Sequence, residues 1–398
     1  MVLGAGVKIL LCHNFYQQSG GEDVVIPAVK ALLETKGHQV ILYSQDNREV
    51  ENYNTLKKIA FFPRTVFSSQ TYRRVRRIIA REKPDIAHVQ NVFPLLSPAL
   101  YVALQRARIP IVQSIQNYRL MCINGLFLRN GQVCERCKTG NFFSSVRFKC
   151  YRDSYPLSAL YALTIGSHRG FGTFKKIDRF IAPTPYVAEK LTESGVAEGD
   201  QVSILGNFMP TPLPNYGVAD LGNPYIVYVG RLSQEKGIWT LLDAIRGLPS
   251  LKLKIVGSGP LTGNVKAYIE SYQLQNVEVL GFVSNEQKYE LLRGALCCVL
   301  PSECYEGFPI VLLESAAVGT AVVASRLGSL ETLVSEGKTG QLFAPGDGVD
   351  LRRKLEQLAT NSDLAIQMGE KAREWLEKKH TPDAHYKKLI GIYEETLR

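Results

Sequence analysis

Three features of the sequence predict an α/β fold: two Rossmann-like, doubly wound parallel-sheet domains facing a central cleft. Short apolar runs rich in Val and Ile alternate with amphipathic stretches, the pattern of strands buried on both faces between helices. The alternation runs twice and is broken once, over residues 206–223, where Pro210, Pro212, Pro214, Gly217 and Gly222 cluster. A length of 398 residues suits two domains at ~150–200 residues each.

In the first half the predicted strands are residues 8–12, 39–43, 86–90, 110–115, 180–182 and 202–205. The stretch 23–36 places Val25, Ile26, Val29, Leu32 and Leu33 on one stripe and predicts a helix. A second helix, over 72–82, ends before Lys83-Pro84, because proline disfavours helix at the preceding residue. Thr184-Pro185 reads as a helix start, a capping hydroxyl followed by proline at the first helical position. Past the break, strands are predicted at 225–229, 253–256, 277–280, 297–300, 321–324 and 341–343, and a last helix at 381–398. This gives a first domain over 1–206 with a Cys-bearing, aromatic-rich insertion at about 117–157. A linker over 207–222, a second domain over 223–380 and the terminal helix follow.

Apolar residues make up 45% and charged residues 21%, which excludes a disordered, collagen-like or coiled-coil chain. No run approaches the ~18 apolar residues of a membrane span. The apolar run at 7–11 is too short for a signal-peptide core and has no basic leader. It reads as the first strand of a cytoplasmic protein. The net charge of +10 is uneven: residues 1–200 hold 27 Lys and Arg against 15 Asp and Glu, the remainder 20 against 22. A basic half-molecule points to an anionic partner: phosphates, nucleic acid or an acidic membrane.

The segment 301–314, Pro-Ser-Glu-Cys-Tyr-Glu-Gly-Phe-Pro-Ile-Val-Leu-Leu-Glu, follows a predicted strand. Gly307 allows close backbone approach and Pro309 suits a first helical turn, so free N–H groups at the helix start face the cleft. Such a terminus attracts phosphate. A carboxylate one or two turns in, Glu314, is placed to accept hydrogen bonds from ribose hydroxyls. Gly230-Arg231 through Lys236-Gly237 follows another strand, and Arg231 and Lys236 offer forked and point positive charge to a diphosphate. Gly257-Ser258-Gly259 is a third strand-end turn, and Gly20-Gly21 lies between the first strand and first helix. Neither fits the spacing of a dinucleotide fingerprint or a P-loop, which excludes hydride transfer and ATP hydrolysis as first readings.

Taken together these residues resemble retaining glycosyltransferases of the GT-B fold in glycosyltransferase family 4. Glu306 and Glu314, separated by seven residues, match that family's E-x7-E motif. Gly230-Arg231, Lys236-Gly237, Gly20-Gly21, the segment 84–88, Asn207 and the segment 328–331 support the resemblance. The stretch Asn117-Tyr118-Arg119 through Cys134-Glu135-Arg136-Cys137 is similar to a subgroup active in polysaccharide assembly. The resemblance implies that Arg231 and Lys236 bind the donor diphosphate and assist its departure. It implies that Glu314 holds the ribose, that Glu306 contacts the donor sugar while Gly307 and Phe308 offer backbone N–H groups, and that Gly20-Gly21 closes over the phosphates. It implies no metal for catalysis, and a terminal helix that crosses back to the first domain. Where many relatives carry histidine, this sequence has Gln116; an amide can still hydrogen-bond a donor-sugar hydroxyl but cannot shuttle a proton.

Two segments lie outside that scheme. Cys122, Cys134, Cys137 and Cys150 fall within the insertion, and four thiolates suit a structural zinc as well as they suit reduced, packed thiols. Residues 72–83 form a basic helix with an apolar side, near Lys57, Lys58 and Arg64. It reads either as a solvated face or as a contact with anionic membrane. Nucleic acid is set aside, since no recognised motif or aromatic interleaving accompanies the basic residues. The expected protein is a cytoplasmic hexosyltransferase, peripheral at the inner membrane face. It would use a nucleotide-diphosphate sugar donor and a saccharide or lipid-linked acceptor. The competing expectations are a catalytically weak sugar-nucleotide-binding partner of an assembly complex, and another GT-B enzyme such as an epimerase.

Overall fold

The computed structural model describes residues 6–17, 21–210 and 224–398, and of 22, 51–52 and 55–60 the backbone alone. Gly20 and the linker from 211 onward lie outside the described residues. The chain divides into two compact units. One comprises 1–127, 135–207 and 382–398; the other comprises 128–134 and 208–381.

The first unit is built on β1 (Lys8–Phe15), β2 (Gln39–Asp46), β3 (Ile86–Val89) and β4 (Ile111–Ser114). Between β4 and β7 in sequence lie the two-residue strands β5 (Leu128–Arg129) and β6 (Gln132–Val133), a separate antiparallel hairpin of the second unit, and the first unit continues with β7 (Arg179–Ala182) and β8 (Val202–Ile204). The six sheet strands run parallel in the order β2-β1-β3-β4-β7-β8. All six predicted strands are present. β1 extends to Phe15, beyond the apolar run that predicts it, because its polar end is satisfied inside. Asn14 Oδ1 accepts the N–H groups of Leu95 and Leu96 at 2.9 and 3.2 Å, and its amide donates to Asn47. The basic helix is Ser69–Glu82 rather than 72–82, because Ser68 caps it by accepting the N–H of Thr71 at 3.1 Å. Thr184 caps Pro185–Glu193 with proline at the first position.

The terminal helix Pro382–Leu397 belongs to the first unit. Tyr393 hydroxyl and His88 Nδ1 meet at 2.7 Å, and His88 Nε2 meets Ser114 Oγ at 2.7 Å. His385 donates to the Gly206 carbonyl, and Lys36 pairs with Asp383 at 2.6 Å. The second unit holds β9 (Tyr225–Val229), β10 (Lys252–Val256), β11 (Val277–Gly281), β12 (Ala295–Leu300), β13 (Val322–Ser325) and β14 (Gly340–Phe343). They form a parallel sheet in the order β11-β10-β9-β12-β13-β14. Alternate residues of β9 feed separate cores: Ile226 and Tyr228 join Leu241, Ile255 and Phe343, while Val227 joins Cys298, Leu312 and Ala324. A sheet covered on both faces explains the near-continuous apolar strands.

Burial first, and His385 second, hold the His88 imidazole neutral, lowering its pKa from 6.5 to about 3. Below pH 6.5 the unfolded chain therefore takes up a proton that the folded chain refuses, and stability falls as pH drops towards about 3. The urea midpoint of the wild-type protein is expected to decline over that range, with a smaller slope in His88→Gln.

Candidate functional site

In the second unit the loops after β9, β10 and β12 converge at the carboxyl ends of their strands, where open parallel sheets bind ligands. Glycine makes this possible. A Cβ at Gly237 would overlap the Pro301 carbonyl, and Gly257, at φ +124°, would drive one into the Gly230 carbonyl. The turns are tied together by main-chain hydrogen bonds: Gly230 N–H to Val256, Leu232 N–H to Ser258, and Glu303 N–H to Glu235, at 3.0, 3.1 and 2.9 Å.

This packing brings Lys236 to Glu306. Lys236 Nζ lies 2.6 Å from Glu306 Oε1, and Ser302 Oγ donates to the same oxygen at 2.5 Å. Burial alone would raise the Glu306 pKa, but the Lys236 ammonium and the two donors outweigh it and hold the carboxyl below its ordinary 4.5. The Lys236 ammonium is in turn held above its ordinary range: burial opposes its charge, and the Glu306 carboxylate overcomes it. Arg231 is exposed and forms no ion pair among the described residues; its carbonyl accepts the Tyr228 hydroxyl at 2.8 Å.

The helix after Glu306 runs Ile310–Ala317, with Pro309 as its cap at φ −68°, ψ 125°. Pro309 thus stands just outside the first helical turn that the sequence predicts for it. Gly307 is half-buried in the preceding turn. The Phe308 ring turns into a core with Met209, Leu313 and Leu376. Glu314 is 8% exposed on the helix. Its Oε1 meets Lys288 Nζ at 2.6 Å, a partner that sequence reading missed. Lys288 lies 26 residues away on the helix Asn285–Arg293, and no local spacing signals the pair. Phe282, just past β11, is 91% exposed, beside the Gly281 carbonyl that accepts the Gly257 N–H at 2.7 Å.

The other predicted positions lie in the first unit. Gly21 opens the helix Gly21–Thr35, whose Asp23 accepts from Tyr16 N–H at 3.3 Å and lies 3.0 Å from buried His13 Nε2. Gln116 exchanges amide contacts with Asn207, its Nε2 donating to Asn207 Oδ1 at 3.2 Å.

Cys122 and Cys137 are buried, and Cys134 and Cys150 are half-buried. Among the described residues no three His, Cys, Asp or Glu side chains form a group that could hold a metal ion. The insertion is organised by other means. Cys122 Sγ donates to Asn124 Oδ1 at 3.0 Å. Arg169 donates to the carbonyls of Lys138 and Ser194 at 3.1 and 2.5 Å. Lys138 and Lys190 each pair with both Glu135 and Glu193. Charge-assisted bonds from one guanidinium can order irregular backbone without a metal.

The model for Glycosyltransferase Family 4 matches residues 19–211, and that for Glycosyl transferases group 1 matches residues 215–375. Together these matches make the chain a family 4-like glycosyltransferase of the GT-B fold. It is 24% identical over 94% of its length to an uncharacterised glycosyltransferase of Methanocaldococcus jannaschii, covering 94% of that protein. It is 33% identical to the D-rhamnosyltransferase WbpZ of Pseudomonas aeruginosa over 38% of this chain and 40% of that one. Its structure is similar to sucrose-phosphate synthase of Thermosynechococcus elongatus, with a TM-score of 0.71 and 17% identity over 98% of both chains. It is similar also to Anabaena HepE in complex with UDP, with a TM-score of 0.69 and 15% identity over 98% of this chain and 100% of that one. Both likenesses concern the fold. Relatives bearing O-antigen and colanic acid names act in polysaccharide assembly.

Lys288→Met leaves the Glu314 carboxylate buried without its cation. It is expected to lower stability by about 1–3 kcal/mol, read from urea midpoints, and Lys288→Met/Glu314→Gln is expected to recover part of that loss.

Proposed function

We propose that the second unit binds a nucleotide-diphosphate sugar. The chain then transfers the hexose-type sugar, with retention of anomeric configuration, to a saccharide or lipid-linked saccharide in cell-surface polysaccharide assembly. One observation carries this reading: two lysine–glutamate pairs, Lys236–Glu306 just before the helix Ile310–Ala317 and Lys288–Glu314 within it, hold the two spaced acids, and exposed Arg231 follows β9. Helix-terminal N–H groups and two cations suit a diphosphate. Glu314, oriented by Lys288, accepts hydrogen bonds from the ribose hydroxyls, and the exposed Phe282 ring offers a flat face to the base. Glu306 contacts the donor sugar, and the Gly307 and Phe308 N–H groups face it.

When the bond from C1 to the diphosphate oxygen breaks, its electron pair stays on the diphosphate. The acceptor hydroxyl attacks C1 from that same face, and its proton passes to the leaving oxygen. Arg231 and Lys236 meet the charge that develops on the diphosphate, and because they are already in place, little reorganisation accompanies the step. The basic first unit takes the acceptor, which is held at the anionic inner face of the membrane. No helix of the described residues is long and apolar enough to cross a membrane. A second reading draws on Gln116, whose amide is engaged by Asn207: a sugar-nucleotide-binding partner with weak catalysis.

A panel of UDP, GDP, ADP and CMP tests the donor site. One diphosphate at a hundred times its dissociation constant is expected to add ~2.7 kcal/mol of stability, and Glu314→Ala to weaken that response. With the matching nucleotide sugar, diphosphate release is expected only with acceptor present, falling by about 10²–10³-fold in Glu306→Ala. Diphosphate binding without acceptor-dependent release would favour the weak-partner reading, and no binding at all would refute the donor site.

A further inference from the structure

An open groove of about 600 Å³ lies on the first unit, and the proposed chemistry does not use it. Its lining includes Val66, Phe67, Arg106, Phe171 and Lys176. The floor is rigid. His168 lies 3.0 Å from both the Val66 carbonyl and Thr173 Oγ1, and Gln105 donates to the Thr173 carbonyl at 2.8 Å. Two rings stand at the rim instead of packing inward: Phe171 is 78% exposed and Phe67 41%. Helical spacing extends the apolar strip. Exposed Phe62 precedes Val66 by four residues, and exposed Leu163 precedes the groove-lining Ser167 by four.

Cations border this strip. The Arg106 guanidinium lies 5.7 Å from the Tyr72 ring and donates to its hydroxyl at 3.2 Å; that ring lies 6.1 Å from Phe67. Tyr72 belongs to the helix Ser69–Glu82, on which Arg73, Arg74, Arg76, Arg77 and Arg81 are all exposed. The helix's single acid, Glu82, is paired with Arg81, and no acid lines the groove. Exposed aromatic and aliphatic groups bordered by arginines match a headgroup–acyl boundary: rings enter the apolar layer and guanidiniums meet lipid phosphates.

We propose that this strip docks the protein on a bilayer containing anionic phospholipid, with Phe67 and Phe171 entering the interface and Arg106, Lys176 and the arginine helix facing the phosphates. It rests, for its purpose, on the reading of a membrane-held acceptor. A nucleic-acid duplex, its bases stacked inside, would engage the cations and leave the exposed phenylalanines unused. A second copy would bring the same positive surface against itself.

The test is co-sedimentation with phosphatidylcholine vesicles, with and without phosphatidylglycerol, at low and high salt. The diphosphate stabilisation assay is run on the same protein samples. Binding is expected to need phosphatidylglycerol and to weaken with salt. Phe67→Ser/Phe171→Ser is expected to reduce it at least about tenfold, and Arg76→Gln about fivefold. Both variants alter exposed side chains and should keep the wild-type urea midpoint and diphosphate response. Absent binding, equal binding to neutral vesicles, or binding indifferent to the phenylalanine pair would overturn the proposal. So would a dimer that the pair abolishes. Loss of the diphosphate response with vesicle binding intact would count against the donor site alone.

Discussion

Close backbone contact at the strand ends of the second unit is the constraint on which its site depends. Gly237 lies against the Pro301 carbonyl and Gly257 against the Gly230 carbonyl, and no other residue fits either place without moving main chain. Those contacts set the loop after β9 beside the loop after β12, and Lys236 and Glu306 come within 2.6 Å as a result. The glycines carry no chemistry themselves. They fix the distance between groups that do.

The two lysine–glutamate pairs follow a common electrostatic logic. Withdrawing a carboxylate from water is costly unless a cation and further donors replace the lost hydration. Glu306 has Lys236 and Ser302, and Glu314 has Lys288. Glu306 is thereby held below its ordinary pKa in a place where burial alone opposes its charge. For the proposed donor site this means that acceptors for hydroxyls and cations for phosphate stand ready before a ligand arrives, which lowers the cost of binding and of reaction.

The first unit solves a different problem, that of anchoring distant chain segments. The terminal helix is fixed through His88, whose two ring nitrogens meet Tyr393 from that helix and Ser114 from β4. The insertion is fixed through Arg169, which gathers carbonyls from 138 and 194. In both cases one buried or half-buried polar side chain satisfies groups from elements far apart in sequence. Lysine–glutamate pairs that join Lys138 and Lys190 to Glu135 and Glu193 add to the hold of that guanidinium.

The sequence by itself determined the two parallel α/β sheets, all twelve sheet strands and the strand-end location of Arg231, Lys236 and Glu306. It could do so because strands buried on both faces must be apolar along their length, and because glycine and proline mark turns wherever they fall. It placed Glu314 one or two turns into its helix for the same local reason. Only the tertiary structure decided which charges pair. Lys288 meets Glu314 across 26 residues of chain, and the polar end of β1 is a strand because Asn14 finds partners at 47, 95 and 96. Such pairings depend on where separate elements meet, and a linear pattern carries periodicity along one element but no distance between two.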